Sequence, residues 1–244
     1  MIPGSQLGLN IPDMPQGSEF ENLGTTVEVV AQGGNMSFRG IQYSLKQFHF
    51  HLPSEHLDNG GSMAMEMHMV WQGPAAEVAV IGTFIDLEEG NAVKAQVAER
   101  RLLHREARLT ARESQEKETK DNLPLPGIEK SFFHVNAPKT AATRSSTLLE
   151  TVLGSVEQIS TPGTVTKTPA LVMSELVNTL VSGTFRTYEG SLTTPPCSEG
   201  VRWLVSDQTL TIKAATYVKS RSVIGFNARF PQNRPGEPNV LAGN

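Results

Sequence analysis

The sequence predicts a mainly β fold with an antiparallel rhythm and a few peripheral helices. Three observations point there: short alternating runs in the first part of the chain, the same rhythm near the other end, and two segments between them with apolar residues at helical spacing. The first runs are residues 25–30, 36–38, 43–52, 63–71 and 77–87, each bounded by Gly-rich breaks. Residues 183–187, 201–205 and 208–212 repeat the pattern, with Pro-rich loops between them. Residues 146–160 and 170–181 read as helices; in the first, Leu148, Leu149, Val152, Leu153 and Val156 fall on one helical face.

A chain of 244 residues is long enough for one large domain, and the expectation is a single domain over 1–244. Hydrophobic residues at 38% and charged residues at 19% are ordinary globular values, which excludes a disordered or fibrous chain. One stretch departs: 14 of the 28 residues in 94–121 are charged, with both signs mixed, so it is expected to be an exposed or disordered insertion. The formal net charge of -4 gives no electrostatic reason to bind nucleic acid or an anionic membrane. No secretory signal is read in the opening residues and no apolar run reaches membrane-spanning length, so the chain as written is expected to be soluble and cytoplasmic. Cys197 is the only cysteine, which excludes an internal disulfide and a thiolate metal site. Any metal must therefore sit on histidines or carboxylates.

The run Gln47-Phe48-His49-Phe50-His51-Leu52 alternates strictly, so a strand here puts Phe48, Phe50 and Leu52 on one face and Gln47, His49 and His51 on the other. Downstream, Met65, Met67, Met69 and Trp71 alternate with Glu66, His68 and Val70. Pairing the two antiparallel with His49 opposite His68 makes partner numbers sum to 117, which centres the reversal on the turn signal Asp58-Asn59-Gly60-Gly61. That register sets Glu66 opposite His51 and brings three imidazoles to one face. Three neutral imidazoles leave the fourth tetrahedral position open, the catalytic form of a zinc site, which lowers the pKa of bound water to about 7. Gln47 and Glu66, two residues from His49 and His68, are placed to accept the second ring N–H of each. His104 and His134 are expected to be ordinary surface residues, and spacing alone leaves His56 ambiguous.

Two blocks resemble α-class carbonic anhydrases. The first is the pair of histidine strands with Ser54-Glu55-His56 between them. The second runs from Tyr188 through Gly190-Ser191-Leu192-Thr193-Thr194-Pro195-Pro196 to Trp203 and is similar to the family's active-site loop and following strand. Asn233-Arg234-Pro235 resembles the pattern near the family's C-terminus. The resemblance implies a single large, twisted, mostly antiparallel sheet with Zn²⁺ at the base of a cavity. It also implies reversible hydration of carbon dioxide to bicarbonate and a proton by attack of zinc-bound hydroxide. His49, His51 and His68 would be the ligands. Thr193 would accept a hydrogen bond from the hydroxide and donate one to Glu55, and Thr194 would help place bicarbonate. Val70, Val80, Leu192, Val201 and Trp203 would form the apolar wall, and His56 would be a buried structural residue.

The resemblance also marks departures. The family normally carries a further N-terminal segment before the strand resembling Asn22-Leu23-Gly24, so the domain is expected to be N-terminally short. Many relatives are secreted and bond the cysteine matching Cys197 to one in that segment; here a free thiol or an intermolecular link is expected, and a homodimer stays open. Fast relatives relay the product proton through a His where Gly24-Thr25 stands in this chain. Two other functions compete. One is a carbonic-anhydrase-related binding protein with impaired catalysis. The other is a cupin, whose first motif His49-x-His51 with Glu55 and Gly60 partly imitates, although no His follows His134 to complete it.

Overall fold

The computed structural model describes residues 1–58, 61–88 and 144–230. Every described residue belongs to one compact unit, Met1–Glu88 with Lys139–Asn244. The stretch 94–121, His104, His134 and Asn233-Arg234-Pro235 lie outside the described residues.

Among the described residues ten strands form one sheet: β1 (Ile2–Pro3), β2 (Glu19–Asn22), β3 (Val27–Val30), β4 (Asn35–Phe38), β5 (Ile41–His51), β6 (Met65–Gln72), β7 (Val78–Leu87), β8 (Val165–Lys167), β9 (Thr184–Ser191) and β10 (Glu199–Ile212). Their order is β1-β9-β10-β7-β6-β5-β3-β2-β8, with β4 paired to β5. All the pairings are antiparallel except β10 with β7. Among the described residues three helices accompany the sheet: α1 (Thr147–Leu153), α2 (Ser174–Ser182) and α3 (Ala214–Ile224). Among the described residues no helix is long and apolar enough to cross a membrane.

Alternation along the strands sorts side chains to two faces. Phe48, Phe50, Met65, Met67, Met69, Trp71, Ile81 and Leu204 join Leu148, Leu149, Val152 and Leu153 of α1 in the main apolar core. Each such side chain removed from water contributes about 1.5–3 kcal/mol, which makes the register of β5 against β6 hard to slip. On the opposite side a small second cluster forms from Val80, Val201 and Trp203, with Val70, Val78 and Leu192 packed against it.

The structure also differs from the sequence expectations at several elements. The expected helix over 146–160 ends at Leu153, and after Gly154 the chain tightens into a 3-10 turn, Val156–Ile159. The expected helix over 170–181 starts only at Ser174, because Leu171 exchanges backbone hydrogen bonds with Met14 and the Met173 N–H is taken by the Asp13 carboxylate. The runs 201–205 and 208–212 are one strand, β10, whose register against β7 shifts between Val205 and Thr209. Helix α3 lacks an apolar stripe to announce it, since the residues it buries are Thr216 and Ser220. Their hydroxyls are satisfied by the Glu150 carboxylate and the Thr216 carbonyl.

Candidate metal centre

His49 stands opposite His68, and His51 opposite Glu66, across β5 and β6, as the alternation and turn position require. One ring nitrogen from each of His49, His51 and His68 lies within 4.8 Å of the others, and all three residues are buried. The other nitrogens are engaged. Nδ1 of His49 is 2.8 Å from the Gln47 side-chain oxygen, and Nε2 of His68 is 3.0 Å from Glu66 Oε1. His51 Nδ1 lies 3.4 Å from the backbone carbonyl of Asn227.

His49 and His51 are held neutral. Burial, then the neighbouring His68 and His51, holds His49 well below its usual range. Burial and His68 lower His51 to about 3. Burial alone would raise the Glu66 carboxyl, but His68 and His56 outweigh it through charge and hydrogen bonds and hold it well below the usual carboxylate range. Glu66 is therefore ionised and can only accept. Its Oε2 takes the backbone N–H groups of Glu55 and His56 at 2.9 and 2.8 Å, and its Oε1 takes the rings of His56 and His68 at 2.5 and 3.0 Å. Gly82, opposite His68 on β7, makes room for this carboxylate: a Cβ there would come 2.7 Å from Glu66 Oε1.

A divalent cation fits this donor set. Nε2 of His51 is buried with no hydrogen-bond partner, a costly state for a lone pair that a metal would relieve. The anchored nitrogens of His49 and His68 leave Nε2 of the first and Nδ1 of the second available, and imidazole-only sites with an open position suit zinc.

His56 is not wholly buried, its side chain being 18% exposed; Nδ1 bonds Glu66 and Nε2 meets the Tyr188 hydroxyl at 2.7 Å. Glu55 accepts the Arg229 N–H on Oε1 at 2.7 Å, while Oε2 points toward His68 Nδ1 at 3.9 Å and has no hydrogen-bond partner. The Thr193–Glu55 hydrogen bond that the resemblance implies is therefore not formed. Thr193 and Thr194 are half-buried in the loop after β9, closed by the Cys197 N–H on the Thr194 carbonyl at 2.9 Å. Cys197 is a free thiol in a left-handed backbone conformation (φ 56°).

The expected wall residues Val70, Val80, Leu192, Val201 and Trp203 do come together, joined by Val78, and the Trp203 ring lies 4.8 Å from that of His68. Sequence reasoning missed Asn227 and Arg229. Asn227 presents its carbonyl to His51, donates to the carbonyls of Thr25 and Phe50 and accepts the Leu52 N–H. The groups offered to His51 and Glu55 are backbone ones, which any residue type carries, so only the side chain of Asn227 could have signalled this anchor.

The model of the family described as eukaryotic-type carbonic anhydrase matches residues 93–234, more than half of the chain. The chain belongs to that family. The matched span does not include the histidine strands, so the metal-ligating geometry stands as a separate observation. A carbonic anhydrase from Pectobacterium carotovorum is 26% identical over 218 residues, covering 89% of this chain and 64% of its own length. The chain thus spans under two thirds of that relative. Among solved structures, a fungal α-carbonic anhydrase from Aspergillus oryzae superposes with a TM-score of 0.71 at 30% identity, covering 97% of this chain and 78% of the other. The Photobacterium profundum α-carbonic anhydrase gives 0.64 at 26% identity, with 95% and 79% covered. The mostly β fold with its single large sheet is that of α-carbonic anhydrases.

Proposed function

We propose that this chain binds one Zn²⁺ through His49, His51 and His68 and hydrates carbon dioxide reversibly. The observation that carries the reading is the convergence of three buried imidazoles, each with its far nitrogen facing an acceptor, beside an apolar wall. Zinc held there would act as a Lewis acid and make a water nucleophilic near neutral pH.

The chain's own residues supply the rest. Gln47 and Glu66 fix the tautomers of His49 and His68, so that a lone pair on each faces the metal. Val70, Val80, Val201 and Trp203 offer a dry surface to a nonpolar substrate next to a polar centre. An ionised Glu55 can only accept, so once the Thr193 hydroxyl meets it the Thr193 proton points to Glu55 and its oxygen stays an acceptor toward the reacting centre. Thr194 is the polar group of the same loop for bicarbonate. Thr25 is exposed, and a hydroxyl without a useful pKa near neutrality is a poor proton relay, so proton release depends on buffer.

One observation favours a second reading, a carbonic-anhydrase-related binding protein: Glu55 Oε2 lacks the Thr193 partner that catalysis needs. Stopped-flow hydration by the zinc-loaded chain separates the two. The enzyme reading expects activity that a chelator removes and added Zn²⁺ restores; zinc binding with no hydration selects the binding protein.

A further inference from the structure

We infer that Tyr188 is a positioning residue for the metal centre: its O–H fixes the tautomer of His56 and, through Glu66, the orientation of His68. Its functional meaning rests on the zinc reading above, whereas its hydrogen-bond logic stands on the protein alone.

The logic begins at Glu66, fully buried, whose two carboxylate oxygens together meet four nitrogen partners, two of them backbone N–H groups. Because a carboxylate only accepts, the nitrogens facing Oε1, Nδ1 of His56 and Nε2 of His68, must both carry a proton. With its Nδ1 proton on Glu66, the His56 ring can offer a lone pair on Nε2, and the group that faces Nε2, able to donate to it, is the Tyr188 hydroxyl at 2.7 Å. Burial, then the carboxylates of Glu66 and Glu55, raises the Tyr188 phenol above its usual value, so the donor keeps its proton.

Tyr188 is held by the sheet and not by a loop. It pairs with Trp203 across β9 and β10, and the two rings lie 6.1 Å apart and nearly parallel, at 5°. Trp203 is fixed in turn by its indole N–H on the Ser191 carbonyl at 3.0 Å. The direction of the phenol is thereby set before any metal or substrate arrives. Without the hydroxyl, Nε2 of His56 faces solvent at a partly exposed side chain. The ring is then free to adopt the Nε2–H form, which turns a lone pair toward Glu66 Oε1. Repulsion between the two acceptors would loosen Glu66 and, with it, the N–H of His68 that leaves Nδ1 free for a metal.

Imidazole nitrogen NMR on the metal-free full chain, with His56 assigned by a His56→Gln variant, reads the tautomer directly. Wild type is expected to show Nδ1–H at His56, and Tyr188→Phe a shift toward Nε2–H. Competition against a chromophoric chelator reads the consequence: Tyr188→Phe should weaken zinc binding roughly threefold to tenfold, below the 10–100-fold typical of a group bonded directly to a ligand. Tyr188→Phe should add nothing further in the His56→Gln background. An Nε2–H tautomer in wild type, an unchanged tautomer in Tyr188→Phe, or an equal added zinc loss without His56 would overturn the inference. Failure of the wild-type chain to hold zinc would reject the function proposed above, and the tautomer measurement would still decide the part played by Tyr188.

Discussion

His49 and His68 face each other across β5 and β6 with ring centroids 5.4 Å apart and planes at 88°, and the His51 ring lies 4.5 Å from that of His68. Three imidazoles at this spacing, cut off from water, repel one another when protonated and favour a shared cation when neutral. His51→Ala should therefore abolish zinc retention. His104→Ala, changing a residue the sequence reading sets outside the site, should leave it intact. Metal content of the purified variants checks this; equal zinc loss in both would remove the assignment.

Gln47 and Glu66 anchor different ligands with different strength. Gln47 makes one neutral hydrogen bond to His49, while Glu66 is a charged acceptor that also organises Glu55 and His56 through their backbone N–H groups. Each alanine variant should bind zinc about 10–100-fold more weakly, with Glu66→Ala at the upper end and also less stable to urea. Chelator competition and urea unfolding read the two effects separately.

Thr193 touches none of the three histidines by hydrogen bond, so its hydroxyl should matter to chemistry and not to metal retention. Thr193→Ala should keep full zinc and slow hydration by roughly two orders of magnitude, the scale for losing one preorganised hydrogen-bonding group. Loss of zinc along with activity would give Thr193 a structural role instead.

Glu28 pairs with His49 on one side and with Glu21 on the other. Burial, then the Glu21 charge, raises its carboxyl from 4.5 to about 7. The folded state thus holds a proton that the unfolded state releases. The stability this group leaves intact is fully present below pH 4.5 and is lost as pH rises through 7. Metal-free Glu28→Gln should match wild type in melting temperature at pH 4 and exceed it at about pH 8, a gain moderated because the side chain is only half-buried. A constant difference across that range would contradict the shift.

Much of the site was legible because a strand's period of two leaves little freedom. Once His49, His51 and His68 were set on alternating runs around a Gly turn, their common face, the register and the Gln47 and Glu66 acceptors followed. The apolar wall followed only from the resemblance. What stayed illegible was built from backbone groups and from missing atoms: the carbonyl of Asn227, the N–H of Arg229, and the space that Gly82 leaves for Glu66. The fold shows the same division. The long core strands were visible in their alternation, whereas β2 and β8, of four and three residues, lie outside the alternating runs. Helix α3 escaped because its buried face is made of hydroxyls.

The most direct test is a titration of the metal-free chain with Zn²⁺ while carbon dioxide hydration is followed by stopped flow. The rate should rise in proportion to added metal, level off at one zinc per chain, and stay at the buffer rate in His51→Ala throughout. A chain that takes up its zinc and never exceeds the buffer rate, or a His51→Ala variant that matches wild type, would contradict the account.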